Sequence, residues 1–173
     1  MAAGLSRMTW SMAEVSALAT KAARGAGAPP AQAMRFGAVA AAHLSQGRDA
    51  GLLFAALDAL PAGPILQCAA VLDRGMSDAI STGQSILKPV THDALLDTYV
   101  QVLPCAARLE AQAGGQLVLH VDLARPRNPA MPRRIEGCDT LLHHMEELAG
   151  RTYVPDSATS RTSGAGAGLS DND

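Results

Sequence analysis

The sequence predicts an α+β fold: an N-terminal helical cluster packed on a small β-sheet, followed by a Gly/Ala/Ser-rich C-terminal tail. Three observations predict it. Trp10-Ser11-Met12-Ala13-Glu14-Val15 reads as a complete helix start, a capping box (Ser11, Glu14) inside a hydrophobic staple (Trp10, Val15). Gln116 to Leu123 alternates polar and apolar residues and sets Leu117, Leu119, Val121 and Leu123 on one face of a strand. Apolar residues make up 48% of the chain but aromatics only 3%, so the core must be built from Ala, Leu, Val, Ile and Met. At 173 residues the chain fits one domain with a sizeable core.

The first helix is expected over Met12 to Arg24. Val15, Leu18, Ala19 and Ala22 form its apolar stripe, Lys21 and Arg24 complement the dipole of the last turn, and Gly25 is placed just past the end. Pro30 suits the first position of a second helix running to Gln46-Gly47, with Met34, Ala38, Ala41 and Ala42 toward one side. Asp49 caps a third helix that reaches Leu60 and buries Leu53, Ala56, Leu57 and Leu60.

Beyond Pro64 the character changes. Ile65 to Leu72 is a short apolar run closed by Asp73-Arg74-Gly75, which favours a buried strand over a helical turn. Met76 to Ser85 reads as a loop or short helix, and Ile86 to Val90 as a short strand. Asp93 to Ala113 has helical spacing with Pro104 inside it, so a break or kink is expected near Leu103 and a stop at Gly114-Gly115. The best strand, Gln116 to Leu123, follows. Arg125 to Arg134, with three prolines, is expected to be a loop, and Asp139 to Ala149 a last helix capped by Gly150.

Residues 1–9 are expected to be a flexible N-terminus, 10–155 a single domain, and 156–173 a tail too poor in apolar residues to offset its own ordering entropy. Tyr153, beside Pro155, is placed to plug the domain where the tail leaves.

The net charge of −2 and the scattered basic residues leave no basic stripe of the kind nucleic-acid binders show. Cys68, Cys105 and Cys138 are odd in number and far apart, which fits free thiols in a reducing compartment. Met1 to Thr9 lacks the apolar core of a signal peptide, and Phe36 to Ala42 is too short to span a bilayer. The expectation is a cytoplasmic protein with no membrane and no nucleic-acid partner.

Three segments together resemble an uncharacterised bacterial family, a domain of unknown function. They are Ser11 to Val15 through Lys21 to Gly27, then Ala149-Gly150-Arg151-Thr152-Tyr153-Val154-Pro155, then Gly164 to Asp173. The likeness covers both ends and the middle only loosely, and it implies no catalytic residues. Where that family often carries a Trp-Gly pair, this chain has Ala28-Pro29-Pro30. The first two helices, with their Ala42-His43-Leu44 ending, are also similar to the N-terminal helices of type-2 malate and L-lactate dehydrogenases. That family continues into a histidine-containing loop, and here Gly47-Arg48-Asp49-Ala50-Gly51 stands instead, which argues against the same chemistry.

Candidate site residues are few. His120 and Asp122, two apart on the polar side of a strand, could serve acid–base work or form the wet face of a half-buried sheet. Tyr153 could donate a phenol. Cys138, His143 and His144 could ligate a soft metal ion with Cys105 or His120 as a fourth donor, but adjacent helical histidines diverge by about 100 degrees. The alternating glycines of the tail form at most an isolated anion nest. No cofactor and no metal are expected. The function expected is a non-catalytic interaction or accessory module, self-associating through Ala-rich helix surfaces or binding a protein partner. The alternative is an enzyme with a small-molecule pocket using His120, Asp122 or Tyr153.

Overall fold

A computed structural model describes residues 9–87, 93–128 and 133–152. The expectations for Tyr153, the tail, residues 1–8 and Lys88 to Val90 lie outside the described residues. The architecture is α+β, with helices and a small antiparallel sheet.

The capping box at the start of α1 (Met12–Gly25) forms as its residues require. Ser11 Oγ accepts from the Glu14 N–H at 3.2 Å, and Glu14 Oε2 accepts from the Ser11 N–H at 2.7 Å. Trp10 exchanges backbone bonds with Ile135, both 2.9 Å, which ties this start to the chain just before α6 (Asp139–Gly150). α1 packs between α2 (Pro30–Ser45) and α6. Glycines set both distances. A Cβ on Gly25 would fall on the Leu148 carbonyl oxygen of α6, and one on Gly37 of α2 would meet Ser16 O at 2.5 Å. With Ala19, Ala22, Ala23, Ala33 and Ala40 all buried, the helices approach closely without large side chains between them.

Gly25 is therefore an interior helical residue, not the cap. Ala26 ends the helix, and Gly27 takes the left-handed φ of 100°. In α2, Met34 and Ala38 face outward instead of joining Ala41 in the core; the buried side is Ala33, Phe36, Val39, Ala40, His43 and Leu44. α3 (Ala50–Asp58) starts at Asp49, whose Oδ1 accepts from the Gly51 N–H at 2.9 Å.

The expected strand at Ile65 to Leu72 is helix. α4 (Pro64–Ala79) begins with Gly63 at positive φ and Pro64 in the first turn, then buries Ile65, Cys68, Ala69, Leu72, Gly75 and Ala79. That spacing of three and four is helical, and the Asp73-Arg74-Gly75 run taken as a turn is simply its polar edge continuing. Arg35 fastens α4 to α2 through Asp73 at 2.7 Å.

The expected long helix from Asp93 is two elements. α5 (Ala94–Gln101) is capped by Asp93 Oδ1, which accepts from the Leu96 N–H at 2.8 Å. Pro104 ends the helical run. Gly114 and Gly115, both at positive φ, then turn the chain, so β2 (Cys105–Ala111) folds back on β3 (Leu117–Pro126) as a hairpin. β1 (Gln84–Leu87) pairs with the other side of β3, giving the antiparallel order β1-β3-β2. β3 carries the expected Leu117, Leu119 and Val121 inward, but it runs on to Pro126 through residues taken as loop, and Leu123 is 52% exposed. The sheet packs on α4 and α5, and α3 fills the space beside α6. Gly150 is the last residue of α6, with Arg151 as its cap.

Candidate functional site

His120 and Asp122 stand on the outer side of β3, as expected, but they do not serve each other. Asp122 Oδ1 accepts from the Ala124 N–H at 3.1 Å. His120 Nε2 lies 3.0 Å from Glu110 Oε2 on the neighbouring strand, close in distance but not aligned as a hydrogen bond. Arg108 Nη1 donates to the same oxygen at 2.8 Å. That bond, with the guanidinium charge and a smaller contribution from His120, holds the Glu110 carboxyl below its ordinary value. An open depression of about 270 Å³ sits beside this group, with Arg108, His120, Asp122 and Arg125 in its wall.

The proposed metal donors are held apart by the helix that carries two of them. His143 is 73% exposed, its ring nitrogens 3.9 and 3.5 Å from Glu146 and Glu147 on the solvent side of α6. His144 turns the other way. Its ring stacks on Phe54 of α3 at 4.1 Å, and Nε2 lies 3.0 Å from Asp58 Oδ1. Cys138 is buried at the start of α6, its thiol pushed up first by burial and then by the Asp139 carboxylate. Among the described residues, no three His, Cys, Asp or Glu side chains gather as a metal site. Cys105 is buried at the start of β2, and His120 is engaged on the sheet as above.

The most constrained polar group was not among the expected sites. His43 and Thr98 are both fully buried. His43 Nε2 lies 3.0 Å from the Asp49 carbonyl, an acceptor only, so this nitrogen carries the proton. His43 Nδ1 lies 2.9 Å from Thr98 Oγ1. Arg48 donates to Thr98 Oγ1 and, at 3.1 Å, to the Ala94 carbonyl. Burial foremost, and then the Arg48 charge, lower the His43 pKa; the Asp49 carbonyl bond and the Asp49 and Asp93 carboxylates pull the other way. A neutral ring accepts at Nδ1, so the Thr98 hydroxyl gives its proton there, although the Ala94 carbonyl at 2.7 Å is also within its reach. The group locks the end of α2, the Gly47 to Gly51 loop and α5 together. The loop that replaces the dehydrogenase-like histidines is thus occupied with structural bonds. The sequence signal for it was a single histidine in phase with Phe36, Val39 and Ala40 on the buried face of α2.

A second concavity, about 540 Å³, lies between α2, the end of α5 and the start of α1. Ala38 and Ala42 are among its lining residues, with Met12, Leu103 and Arg127 around them. Among the described residues, no helix is long and apolar enough to cross a membrane. No family model, curated protein or solved structure matches this chain.

Proposed function

We propose that the chain is a non-catalytic interaction or accessory module that works through its surface. One observation carries this: the outward stripe of α2. Met34, Ala38 and Ala42 stand one turn apart, Met34 is 67% exposed, and the stripe runs into the groove at Ala38 and Ala42. Small residues let another backbone come close, and an exposed methionine adapts to what it meets. A contiguous apolar strip differs in kind from the single exposed leucines that any surface carries. We also propose kinship with the bacterial family that the two chain ends resemble, for which the residue pattern of those ends is the support.

A photoreactive residue at Ala38, in the cells that make the protein, tests the module. Discrete protein-sized adducts are expected at Ala38, absent when the label sits at the exposed Ala55 of α3 and lost on Met34→Glu. Identical labelling from both positions would contradict it.

A second reading, a small-molecule site, is favoured by the depression beside His120 and Asp122. Its wall carries Arg108 and Arg125 as well, which suits a ligand with a carboxylate. Backbone amide shifts of Arg108, His120, Asp122 and Arg125 moving together with a dicarboxylate probe would support it; shifts at only one of them would not.

A further inference from the structure

We propose that β2 is a self-pairing edge: two copies of this chain join their β2 strands antiparallel about a two-fold axis through Leu109, so that the sheets run on as β1-β3-β2 and then the same order reversed. The inference stands on the strand edge and not on the α2 groove, which is a separate surface.

The hairpin fixes which backbone groups are free. Gln112 N–H donates to Gln116 O at 2.8 Å, and the β2–β3 register pairs Glu110 with Val118, Arg108 with His120 and Ala106 with Asp122. Hydrogen-bonded and non-bonded pairs alternate along an antiparallel ladder, so these even positions turn their N–H and C=O toward β3. The other side of β3 agrees, since Val121 N–H donates to Gly83 O at 2.8 Å, toward β1. Ala107, Leu109 and Ala111 therefore aim their backbone groups away from the sheet. Among the described residues, these groups have no other backbone partner. β2 packs on β3 and α5, and the side chains of Ala107, Leu109 and Ala111 are half-buried or exposed.

The three free positions are symmetric about Leu109. With the axis there, Leu109 faces its own copy and Ala107 faces Ala111 in both directions, for about six backbone bonds. The side chains between them decide the partner. Arg108 comes opposite Glu110 of the second copy, and Glu110 opposite its Arg108, as directly facing non-bonded pairs where side chains are closest. Only one oxygen of Glu110, Oε2, is engaged within the chain, by Arg108 and His120, which leaves Oε1 for the second guanidinium. An axis through Arg108 or Glu110 would set like charges face to face. An axis through Ala107 or Ala111 would run the strands past each other's ends. Small alanines at the outer pairs put no bulk in the way. Edge strands that must stay single usually carry charges that repel a copy of themselves or a proline; β2 carries a charge pattern that complements itself.

The test uses the full chain in sedimentation velocity over a wide concentration range. The wild type is expected to move from monomer to dimer with rising concentration. Arg108→Glu and Glu110→Arg each place like charges opposite, and each is expected to weaken association about tenfold or more. The double swap R108E/E110R restores it. An equimolar mixture of the two single variants also restores it, as a heterodimer, because each then faces its opposite charge. Circular dichroism of each variant confirms that the fold is kept. A wild type that stays monomeric at millimolar concentration would overturn the proposal and leave the groove untouched. A dimer indifferent to both single variants would overturn it as well, and would place self-association on another surface.

Discussion

His43 and Thr98 meet at 2.9 Å across 55 positions of chain, both fully buried, and their bond joins the end of α2 to the middle of α5. Arg48 closes the group from the loop between α2 and α3. Each member satisfies another, so no single member can be removed without leaving a buried polar group unpaired.

Thr98→Val keeps the shape of the side chain and removes the hydroxyl. It strands His43 Nδ1 and one of the two Arg48 bonds. A loss of about 1–3 kcal/mol is expected, read as a lower urea midpoint at unchanged slope. An unchanged midpoint would show that the hydroxyl holds nothing.

The lowered His43 pKa fixes the sign of an acid response. The unfolded chain takes up the proton at about its ordinary 6.5, and the folded one only at lower pH. Between those values the unfolded state binds more protons, so stability falls as pH drops through 6.5 toward the depressed native value. Glu14 and Glu110 are held below 4.5 and add a separate loss only at lower pH. His43→Gln should flatten the first segment of a stability profile and leave the second. A first segment that persists in that variant would assign it to another group.

Gly25→Ala and Gly150→Ala are expected to differ in sign. The new methyl at 25 lands on the Leu148 carbonyl, which is backbone and cannot move aside, so α1 and α6 must part. The cost is expected at about 2–3 kcal/mol. At 150 nothing lies within 4 Å, and replacing a helical glycine should stabilise by up to about 1 kcal/mol. Paired thermal melts would show both, and equal shifts would refute the close approach.

Burial, and to a lesser degree the Asp93 carboxylate, push the Cys68 thiol up to about 12. It should resist iodoacetamide at neutral pH in the folded protein and react once urea unfolds it. Rapid native alkylation at Cys68, located by peptide mapping, would contradict its place in the core.

Local chemistry was legible in the sequence. The Ser11–Glu14 box and the Asp49 cap need only neighbouring residues, and both formed. Leu117, Leu119 and Val121 faced inward because alternation is also local. Misassignment came where two periods fit the same letters. Ile65, Cys68, Ala69 and Leu72 suit a helix as well as an apolar run suits a strand, and length decided wrongly. Ala107 and Leu109 sit in a sequence of good helix formers, and only pairing with β3 makes them strand. Pro104 was seen as a kink, whereas it separates two elements. For the site, His120 and Asp122 were placed on the correct side of the correct strand, but Glu110, which takes up His120, was hidden in the misassigned helix. Thr98 could not be matched to His43, because nothing local announces a bond over that separation.

The central claim is that the most buried polar group here is a neutral structural lock. Long-range proton–nitrogen correlation spectra of the imidazole rings test it directly. The account predicts that His43 shows the Nε2–H form with a bare, accepting Nδ1 at neutral pH, and keeps it into acid beyond 6.5. A His43 ring protonated at Nδ1 or fully charged at neutral pH would contradict it.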